Sequence, residues 1–203
     1  MKAILGKKIG MTQMFIGSDK VVGVTVIEAG PCPILQVTEK SVQLGFDNVA
    51  EKKVKKPVLG LFKKTKISPR KFIREFRKEE KTDYQVGQEI KVDLFKEGDF
   101  VDISGTTVGK GFQGGMKRWH WAGGPETHGH TSHRRVGSIG STTTPGRVWK
   151  GHHMPGHMGA CKATSQSLKI IKVDLENNLL VVKGAVPGHK NNYVVISKAK
   201  KKK

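Results

Sequence analysis

In the N-terminal half of the chain, apolar side chains follow the short or alternating patterns of strands. Residues 21–27 are nearly continuous in β-branched side chains, which is typical of a buried strand. Residues 34–37 and 42–46 repeat this pattern at short spacing. Residues 89–94 and 100–103 alternate polar and apolar side chains on either side of a glycine-containing turn, so this pair predicts a hairpin.

One stretch of this half predicts a helix instead, at about residues 68–79. Ser68 can cap it and Pro69 suits its first position. At helical spacing the apolar face consists of Phe72, Ile73 and Phe76, and the basic face of Arg70, Lys71, Arg74, Arg77 and Lys78. The basic face is equally compatible with a solvated surface and with RNA contact. The lysine-rich residues 51–66 before it predict a basic loop at the rim of the domain.

Strand patterns return near the C-terminus. Residues 168–173 and 179–182 flank a polar turn and predict a second hairpin, and residues 193–196 predict a last strand. Residues 198–203 are almost all lysine, and so charged and short a segment predicts a mobile basic tail.

Residues 108–160, which we call the central segment, have a different composition. They contain 13 of the 25 glycines, seven of the eight histidines and all three tryptophans, and Glu126 is their only acidic residue. With almost no aliphatic side chains, they cannot bury enough apolar surface to offset the entropy of ordering. A basic, aromatic and glycine-rich segment of this length predicts an irregular loop that becomes ordered only inside folded RNA.

These patterns predict a mainly β protein. Residues 1–107 and 161–203 are expected to complete one β-barrel globular domain, with the small helix inserted in it. The central segment is expected to form a long, irregular extension rich in Gly, His and Arg.

The net charge indicates a polyanionic partner. A total of 37 Lys and Arg against 17 Asp and Glu gives +20, which a compact fold needs an anion to compensate. Nucleic acid supplies phosphates and releases counterions on binding. A membrane is disfavoured because the sequence has no long apolar span. With no signal-peptide pattern, the chain is expected to stay in the cytoplasm, with Cys32 and Cys161 as reduced thiols.

Several motifs are long enough to compare with known protein families. Residues 5–13 read LGKKIGMTQ, residues 105–114 read GTTVGKGFQG and residues 116–119 read MKRW. They are followed in order by THG at 127–129, SHR at 132–134, GSIG at 137–140, TPGRV at 144–148, KG at 150–151, GHMG at 156–159 and NLLVVKGAVPG at 178–188. In this order and over nearly the whole chain, the motifs resemble the uL3 family of large-subunit ribosomal proteins, in its bacterial rather than its longer archaeal and eukaryotic form.

The resemblance implies a structural constituent of the large ribosomal subunit. Members bind 23S-type rRNA early in assembly, carry a β-barrel on the subunit surface and lie beside other large-subunit proteins. Their central loop runs toward the peptidyl transferase centre. By resemblance its tip consists of Gly140, Ser141, Thr142, Thr143, Thr144 and Pro145. Many bacterial relatives have a glutamine after GSIG, methylated in some, where this chain has Ser141.

The side chains of the central segment suggest how it would bind RNA. Aromatic rings stack on bases, contributing roughly 1–3 kcal/mol each, and guanidinium groups bind phosphates through two hydrogen bonds. Core positions are the alternative for the tryptophans, although their neighbours are Arg, Lys, His or Gly. The predicted rRNA-binding residues are Lys110, Lys117, Arg118, Trp119, Trp121, His128, His133, Arg134, Arg135, Arg147, Trp149, Lys150, His152, His153 and His157. Lys2, Lys7 and Lys8 are weaker candidates, equally compatible with solvated side chains.

The histidines also raise a metal hypothesis. One cluster consists of His128, His130 and His133 and another of His152, His153 and His157, with Cys161 nearby in sequence. Metal ligands need a rigid, supported scaffold, which a glycine-rich segment does not offer, so neither a metal nor another cofactor is expected. The scarcity of carboxylates disfavours acid–base catalysis. Residues 105–115 lack the GxxxxGK[ST] order of a phosphate-binding loop, so no small-molecule substrate is expected either.

The leading interpretation is therefore a non-enzymatic protein of the cytoplasmic large ribosomal subunit. Its expected partners are 23S rRNA and neighbouring large-subunit proteins, with no membrane. A free, histone-like nucleic-acid-binding protein is the alternative, but such proteins spread charge over low-complexity arms, whereas the central segment has distinct, non-repeating motifs. A metal-dependent hydrolase is a third class, which a metal-dependent activity of the purified chain would reveal.

Overall fold

The computed structural model describes residues 3–17, 20–78 and 83–201. The described residues form twelve strands and two α-helices, so the prediction of a mainly β protein is confirmed. The strands are β1 (Ala3–Ile16), β2 (Lys20–Ala29), β3 (Cys32–Val37), β4 (Ser41–Asn48), β5 (Arg70–Arg77), β6 (Glu89–Ile90), β7 (Phe100–Thr106), β8 (Gly111–Gln113), β9 (Gly156–Met158), β10 (Lys162–Asp174), β11 (Leu179–Lys183) and β12 (Tyr193–Lys198). The helices are α1 (Lys56–Thr65) and α2 (Gly115–Trp119).

The chain folds into two compact units. The barrel unit consists of Met1–Thr107 and Lys162–Lys203, and the glycine-rich unit of Val108–Cys161. In the barrel unit, six strands close into a barrel in the order β1, β12, β7, β10, β11 and β2, with every neighbouring pair antiparallel. Three of these strands precede the glycine-rich unit in sequence and three follow it.

Side chains from all six strands contribute to one hydrophobic core. Ile4, Ile103 and Ile196 are completely buried, and each such side chain contributes roughly 1.5–3 kcal/mol. A four-stranded sheet in the order β5, β4, β3 and β6 adds Leu44 and Phe46 to the same cluster. The barrel and the smaller sheet are therefore stabilised together.

The predicted helix at residues 68–79 is wrong. Residues Arg70–Arg77 form β5, which pairs with β4 so that Phe72 lies opposite Phe46 and Phe76 opposite Val42. Residue 79 lies outside the described residues. Apolar side chains at 72, 73 and 76 fit both a helical face and a strand, and pairing with a buried neighbouring strand decides in favour of the strand.

The basic loop predicted at residues 51–66 is also wrong. Glu51–Lys53 forms a 3₁₀ turn and Lys56–Thr65 forms α1, with a proline in its first turn. Phe62 is 2% exposed and anchors the helix, which ends at Lys66 in the left-handed conformation. The lysines around these few apolar positions hide the helical pattern in the sequence.

The first predicted hairpin is not formed. Glu89–Ile90 is the short strand β6, which pairs with β3, and Val92–Leu94 is a 3₁₀ turn. Residues 100–103 belong to β7, whose partners are β10 and β12. The second predicted hairpin is confirmed, since β10 pairs with β11, and the last predicted strand is part of β12.

The predicted basic tail begins later than residue 198. Lys198 ends β12, and Ala199 is 6% exposed with its N–H donating to the carbonyl of Phe100. The N–H of Lys200 donates to Asp102, so these residues belong to the barrel unit. Lys202 and Lys203 lie outside the described residues.

Cys32 and Cys161 are not joined by a disulfide, Cys32 being buried and Cys161 exposed. Burial raises the pKa of the Cys32 thiol to about 12. Among the described residues, no helix is both long and apolar enough to cross a membrane.

Candidate RNA-binding surface

The glycine-rich unit is organised by a short ladder between β8 and β9. Gly111 lies opposite Met158 and Gln113 opposite Gly156, and the Lys110 N–H donates to the Met158 carbonyl at 2.9 Å. Gly159 has a φ of +77°, and a Cβ there would collide with the carbonyl of Val108. Glycine is therefore required where the two chain segments approach each other.

This unit has no hydrophobic core. Gly115 alone is buried within residues 108–161, all of which the structure describes. Phe112 is 77% exposed, Trp149 61% and Val108 50%. The unit therefore exposes large apolar and aromatic side chains that a soluble domain would normally bury.

Trp119 belongs to a small polar and aromatic cluster. Its indole stacks on the His153 ring at a centroid distance of 4.0 Å and an interplanar angle of 6°. The Met154 carbonyl accepts hydrogen bonds from the Trp119 indole nitrogen at 2.9 Å and from Arg118 at 2.7 Å. One face of Trp119 is therefore covered by His153, and both donors face a backbone carbonyl.

The other two tryptophans differ from Trp119 and from each other. Trp149 is largely exposed, with the Arg147 guanidinium 5.1 Å from its ring centroid. This pair offers a ring and a cation side by side. Trp121 is half-buried against Gly115, where a Cβ would overlap its ring, so it packs at the one buried position of the unit.

Four of the residues predicted from sequence meet at a cavity of about 710 Å³. They are Trp121, Arg135, His152 and His153. The rest of its lining consists of Gly123, Gly124, His130, Ser132, Val136, Gly137, Ser138 and Gly151. His130 also lines the cavity, although it is not among the rRNA-binding residues predicted from the sequence. Irregular backbone has no periodicity, so the sequence pattern does not indicate which side chains meet there.

The remaining predicted side chains are dispersed. Those exposed on the unit without joining the cavity are Lys110, Lys117, His128, His133, Arg134, Lys150 and His157. Of the predicted tip, residues 140–144 are exposed and Pro145 is half-buried. In the parts of the chain that the structure describes, no three His, Cys, Asp or Glu side chains come together as a potential metal site.

The weaker candidates Lys7 and Lys8 differ in how deeply they are buried. Lys8 is 8% exposed, and its ammonium donates to the carbonyls of Val186 at 2.8 Å and Gly188 at 3.0 Å. Two of its three ammonium donors are therefore used inside the barrel unit, and Lys8 is not the solvated side chain of the alternative expectation. Lys7 is half-buried, and Lys2 lies outside the described residues.

Comparisons with known proteins identify the class of this chain. It is 47% identical over 209 residues to the large ribosomal subunit protein uL3 of Brachyspira pilosicoli, covering 100% of this chain and 96% of that protein. It is 50% identical to the uL3 protein of Thermotoga petrophila, covering 98% of both chains. It is also 50% identical to that of Corynebacterium jeikeium, covering 99% of this chain and 95% of the relative. The class is thus that of structural proteins of the large ribosomal subunit.

The family model described as Ribosomal protein L3 matches residues 75–178. The chain belongs to the ribosomal protein L3 family. This membership confirms the family inferred from the motifs, a non-enzymatic role and a location in the cytoplasmic ribosome.

Proposed function

We propose that the chain binds 23S rRNA directly through its glycine-rich unit, and that this contact helps to nucleate assembly of the large subunit. The observation that carries the proposal is that Gly115 is the one buried residue of residues 108–161, all of them described. A segment that exposes its aromatic rings and carries almost no negative charge needs a polyanionic, stacking partner to order it.

The side chains of the unit suit different parts of an RNA strand. The exposed Trp149 ring, with Arg147 beside it, is placed to stack on an unpaired base while the guanidinium binds a phosphate. The cavity lined by Trp121, Arg135 and His152 is concave and has no carboxylate among its described lining residues. It is therefore suited to an RNA nucleotide.

We further propose that residues 140–145 form the tip of the unit and support the region near the peptidyl transferase centre. The support is family membership together with the exposure of residues 140–144. Replacing Ser141, Thr142, Thr143 and Thr144 together is expected to change the response of cells to antibiotics that act at that centre. An unchanged drug response in cells whose ribosomes carry the variant would contradict this assignment.

The RNA assignment is tested by salt-dependent binding of the full chain to protein-free 23S rRNA. The triple variant Arg134→Gln/Arg135→Gln/Arg147→Gln removes three exposed cations of the unit. Each lost phosphate contact should reduce the slope of log affinity against log salt by roughly 0.7–0.9, so the slope should fall by about 2–3. The matched control is Lys169→Gln/Lys172→Gln/Lys183→Gln, which removes three exposed cations of the barrel unit.

Equal slopes for the two triple variants would show that the glycine-rich unit holds no special contacts. Double-stranded DNA of similar length serves as competitor in the same assay. If DNA competes as well as 23S rRNA, the proposed rRNA specificity is wrong.

A further inference from the structure

We infer that the barrel unit has an RNA-binding site of its own, which takes the phosphate backbone in a cleft between the start of α1 and strand β5. The inference rests on the proposed RNA-binding function but concerns a surface outside residues 108–161. The cleft has a volume of about 340 Å³. We call it the cationic cleft, and it is lined by Val49, Lys53, Val54, Lys55, Val58, Arg70, Lys71, Phe72, Ile73 and Arg74.

No described residue that lines the cationic cleft compensates its positive charge. Its described lining residues include five cations and no carboxylate. Within residues 3–17, 20–78 and 83–201 one ion pair is formed, between Lys78 and Asp83, and neither residue lines the cleft. The Nε of Arg70 is buried without a hydrogen-bond partner. Such a concentration of positive charge is unfavourable in the isolated protein and favourable once an anion enters.

Helix α1 begins with positively charged residues, whereas negative charge stabilises the N-terminus of a helix. Its N-cap is Lys55, its first residue is Lys56, its first turn contains no acidic residue, and no side chain caps it. Free helices favour Ser, Thr, Asp or Asn at the N-cap and carboxylates in the first turn, because the unpaired N–H groups there carry partial positive charge. Lysines at this end add to that charge, and a phosphate would compensate both.

Two of the cations are held in place by aromatic rings. The Arg74 guanidinium lies 4.7 Å from the Phe72 ring centroid, and the Lys71 ammonium lies 5.5 Å from the Tyr193 ring centroid. Phe72 itself stacks on Tyr193 at 4.9 Å. The cations are thus partly ordered before a ligand arrives, which reduces the entropy lost on binding.

The RNA backbone fits this chemistry better than an acidic protein segment. Alternating phosphates and sugars match a cleft in which cations alternate with apolar side chains such as Val54 and Val58. Phosphate contacts position a protein on RNA without reading its sequence. The cleft would therefore fix the orientation of the barrel unit on the RNA.

The first experiment measures binding of the full chain to protein-free 23S rRNA as salt is varied. The variant Lys53→Gln/Lys55→Gln/Lys71→Gln removes three exposed cations of the cleft. Its salt slope should fall by about 2–3, while the control Lys169→Gln/Lys172→Gln/Lys183→Gln should change it by less than about 1. Circular dichroism and the unfolding midpoint establish that both variants are folded.

The outcomes separate this inference from the proposed function. If the unmodified chain does not bind 23S rRNA, the proposed function itself fails. The cleft assignment alone is overturned by a combination of three results. The unmodified chain binds 23S rRNA, the arginine triple variant of the glycine-rich unit binds more weakly, and the cleft triple variant binds as its control does. A cleft triple that binds RNA normally but fails to join large subunits would assign the cleft to an acidic protein neighbour and overturn the RNA assignment.

In a second experiment, one substitution at the start of α1 is expected to raise the stability of the free chain and to lower its affinity for RNA. Lys55→Asp gives α1 a favourable N-cap, so the melting temperature of the free chain should rise while its affinity for 23S rRNA falls about tenfold or more. Lys64→Asp makes the same charge change at the exposed last turn of α1, outside the cleft lining. It should lower the melting temperature and weaken RNA binding several-fold less. Equal losses of affinity in the two variants would refute the site.

Discussion

The barrel unit and the glycine-rich unit belong to one chain, but each is stabilised internally by a different kind of interaction. In the barrel unit, side chains such as Ile4, Ile103 and Ile196 are removed completely from water, and six antiparallel strands close on themselves. In the glycine-rich unit, whose residues are all described, burial is limited to Gly115, and a three-residue ladder with a few backbone hydrogen bonds holds the chain. The first unit is stabilised by the hydrophobic effect, and the second has little access to it.

The difference shows how a protein divides folding between itself and its partner. The barrel unit has a buried apolar core that offsets its ordering entropy, whereas residues 108–161, all of them described, bury only Gly115. Under the proposed function, their exposed rings and cations become contacts with RNA. The buried Lys8 and the exposed Lys110 illustrate the two uses of lysine, one satisfying carbonyls inside the barrel unit and one left available at the surface.

The largest expected contrast between the units is in amide hydrogen exchange. Amides on β7 and β12, such as those of Ile103 and Ile196, should exchange only through global opening, with protection factors on the order of 10³ or more. In the free chain, amides of residues 108–161 should exchange with little protection, and they should gain protection when 23S rRNA is bound. Mass spectrometry of the free and bound chain measures both.

The proposed difference between the two units is wrong if the amides of residues 108–161 in the free chain are as protected from exchange as those of the barrel unit. That result would mean that the glycine-rich unit is rigid by itself and does not need RNA to order it. DNA serves as the control ligand, and equal protection by DNA would show that any polyanion suffices.

The same contrast explains what could be predicted from sequence. The apolar pattern predicts β10, β11 and β12, and the scarcity of aliphatic residues from 108 to 160 correctly anticipates a unit without a core. It fails at β5, where Phe72 and Phe76 suit either a helix or a strand until their pairing with β4 is known. It fails at α1 because Phe62 is the single buried anchor among lysines.

The candidate site was predictable in composition but not in arrangement. Residue types predict that the tryptophans and arginines of the central segment bind RNA, and that remains a prediction for each residue. The cavity that joins Trp121 to Arg135, and the stacking of Trp119 on His153, depend on irregular backbone between them. The cationic cleft could not be predicted, because its two sides come from the elements whose structure the sequence pattern predicts wrongly.

Large-to-small substitutions should distinguish the two units by several kcal/mol. Ile103→Ala removes a fully buried side chain from the barrel core and should lower the free energy of unfolding by about 2–5 kcal/mol. Phe112→Ala removes a larger side chain that is 77% exposed and should change it by less than about 0.5 kcal/mol. Urea denaturation followed by circular dichroism measures both. A loss above about 2 kcal/mol for Phe112→Ala would show that the glycine-rich unit has a core after all.

Removing the buried ammonium of Lys8 should have a smaller effect than opening the core. Lys8→Met keeps most of the aliphatic stem but leaves the carbonyls of Val186 and Gly188 without their donor. We expect a loss of about 1–3 kcal/mol in the free energy of unfolding, since buried acceptors lose their partner. The neighbouring variant Lys7→Met is the control and should lose less than about 0.5 kcal/mol. If the two variants are equally stable, the hydrogen bonds of Lys8 do not contribute to the barrel unit.

The last expected effect is a loss of barrel stability that is confined to high pH. Burial and the adjacent Asp47 raise the pKa of Tyr193 to about 12, and the Tyr193 hydroxyl donates to Asp47 at 2.6 Å. Burial raises the pKa of Cys32 to about 12 as well. Their ordinary values are 10.0 and 9.0, so above pH 9 the unfolded chain releases protons that the folded chain retains. Stability contributed by these groups is therefore complete below pH 9 and is lost as pH rises toward 12.

The variant Tyr193→Phe separates this effect from the titration of the many lysines. At pH 8 it should be less stable by about 0.5–1.5 kcal/mol, because it lacks the hydrogen bond to Asp47. Between pH 10 and 12 its unfolding midpoint should fall less steeply than that of the unmodified chain, because phenylalanine has no proton to release. All other ionisable residues are common to both chains, so the difference between the two curves isolates Tyr193. Parallel curves would mean that the Tyr193 hydroxyl titrates in the folded barrel unit as it does in the unfolded chain, and that its contact with Asp47 does not retain the proton.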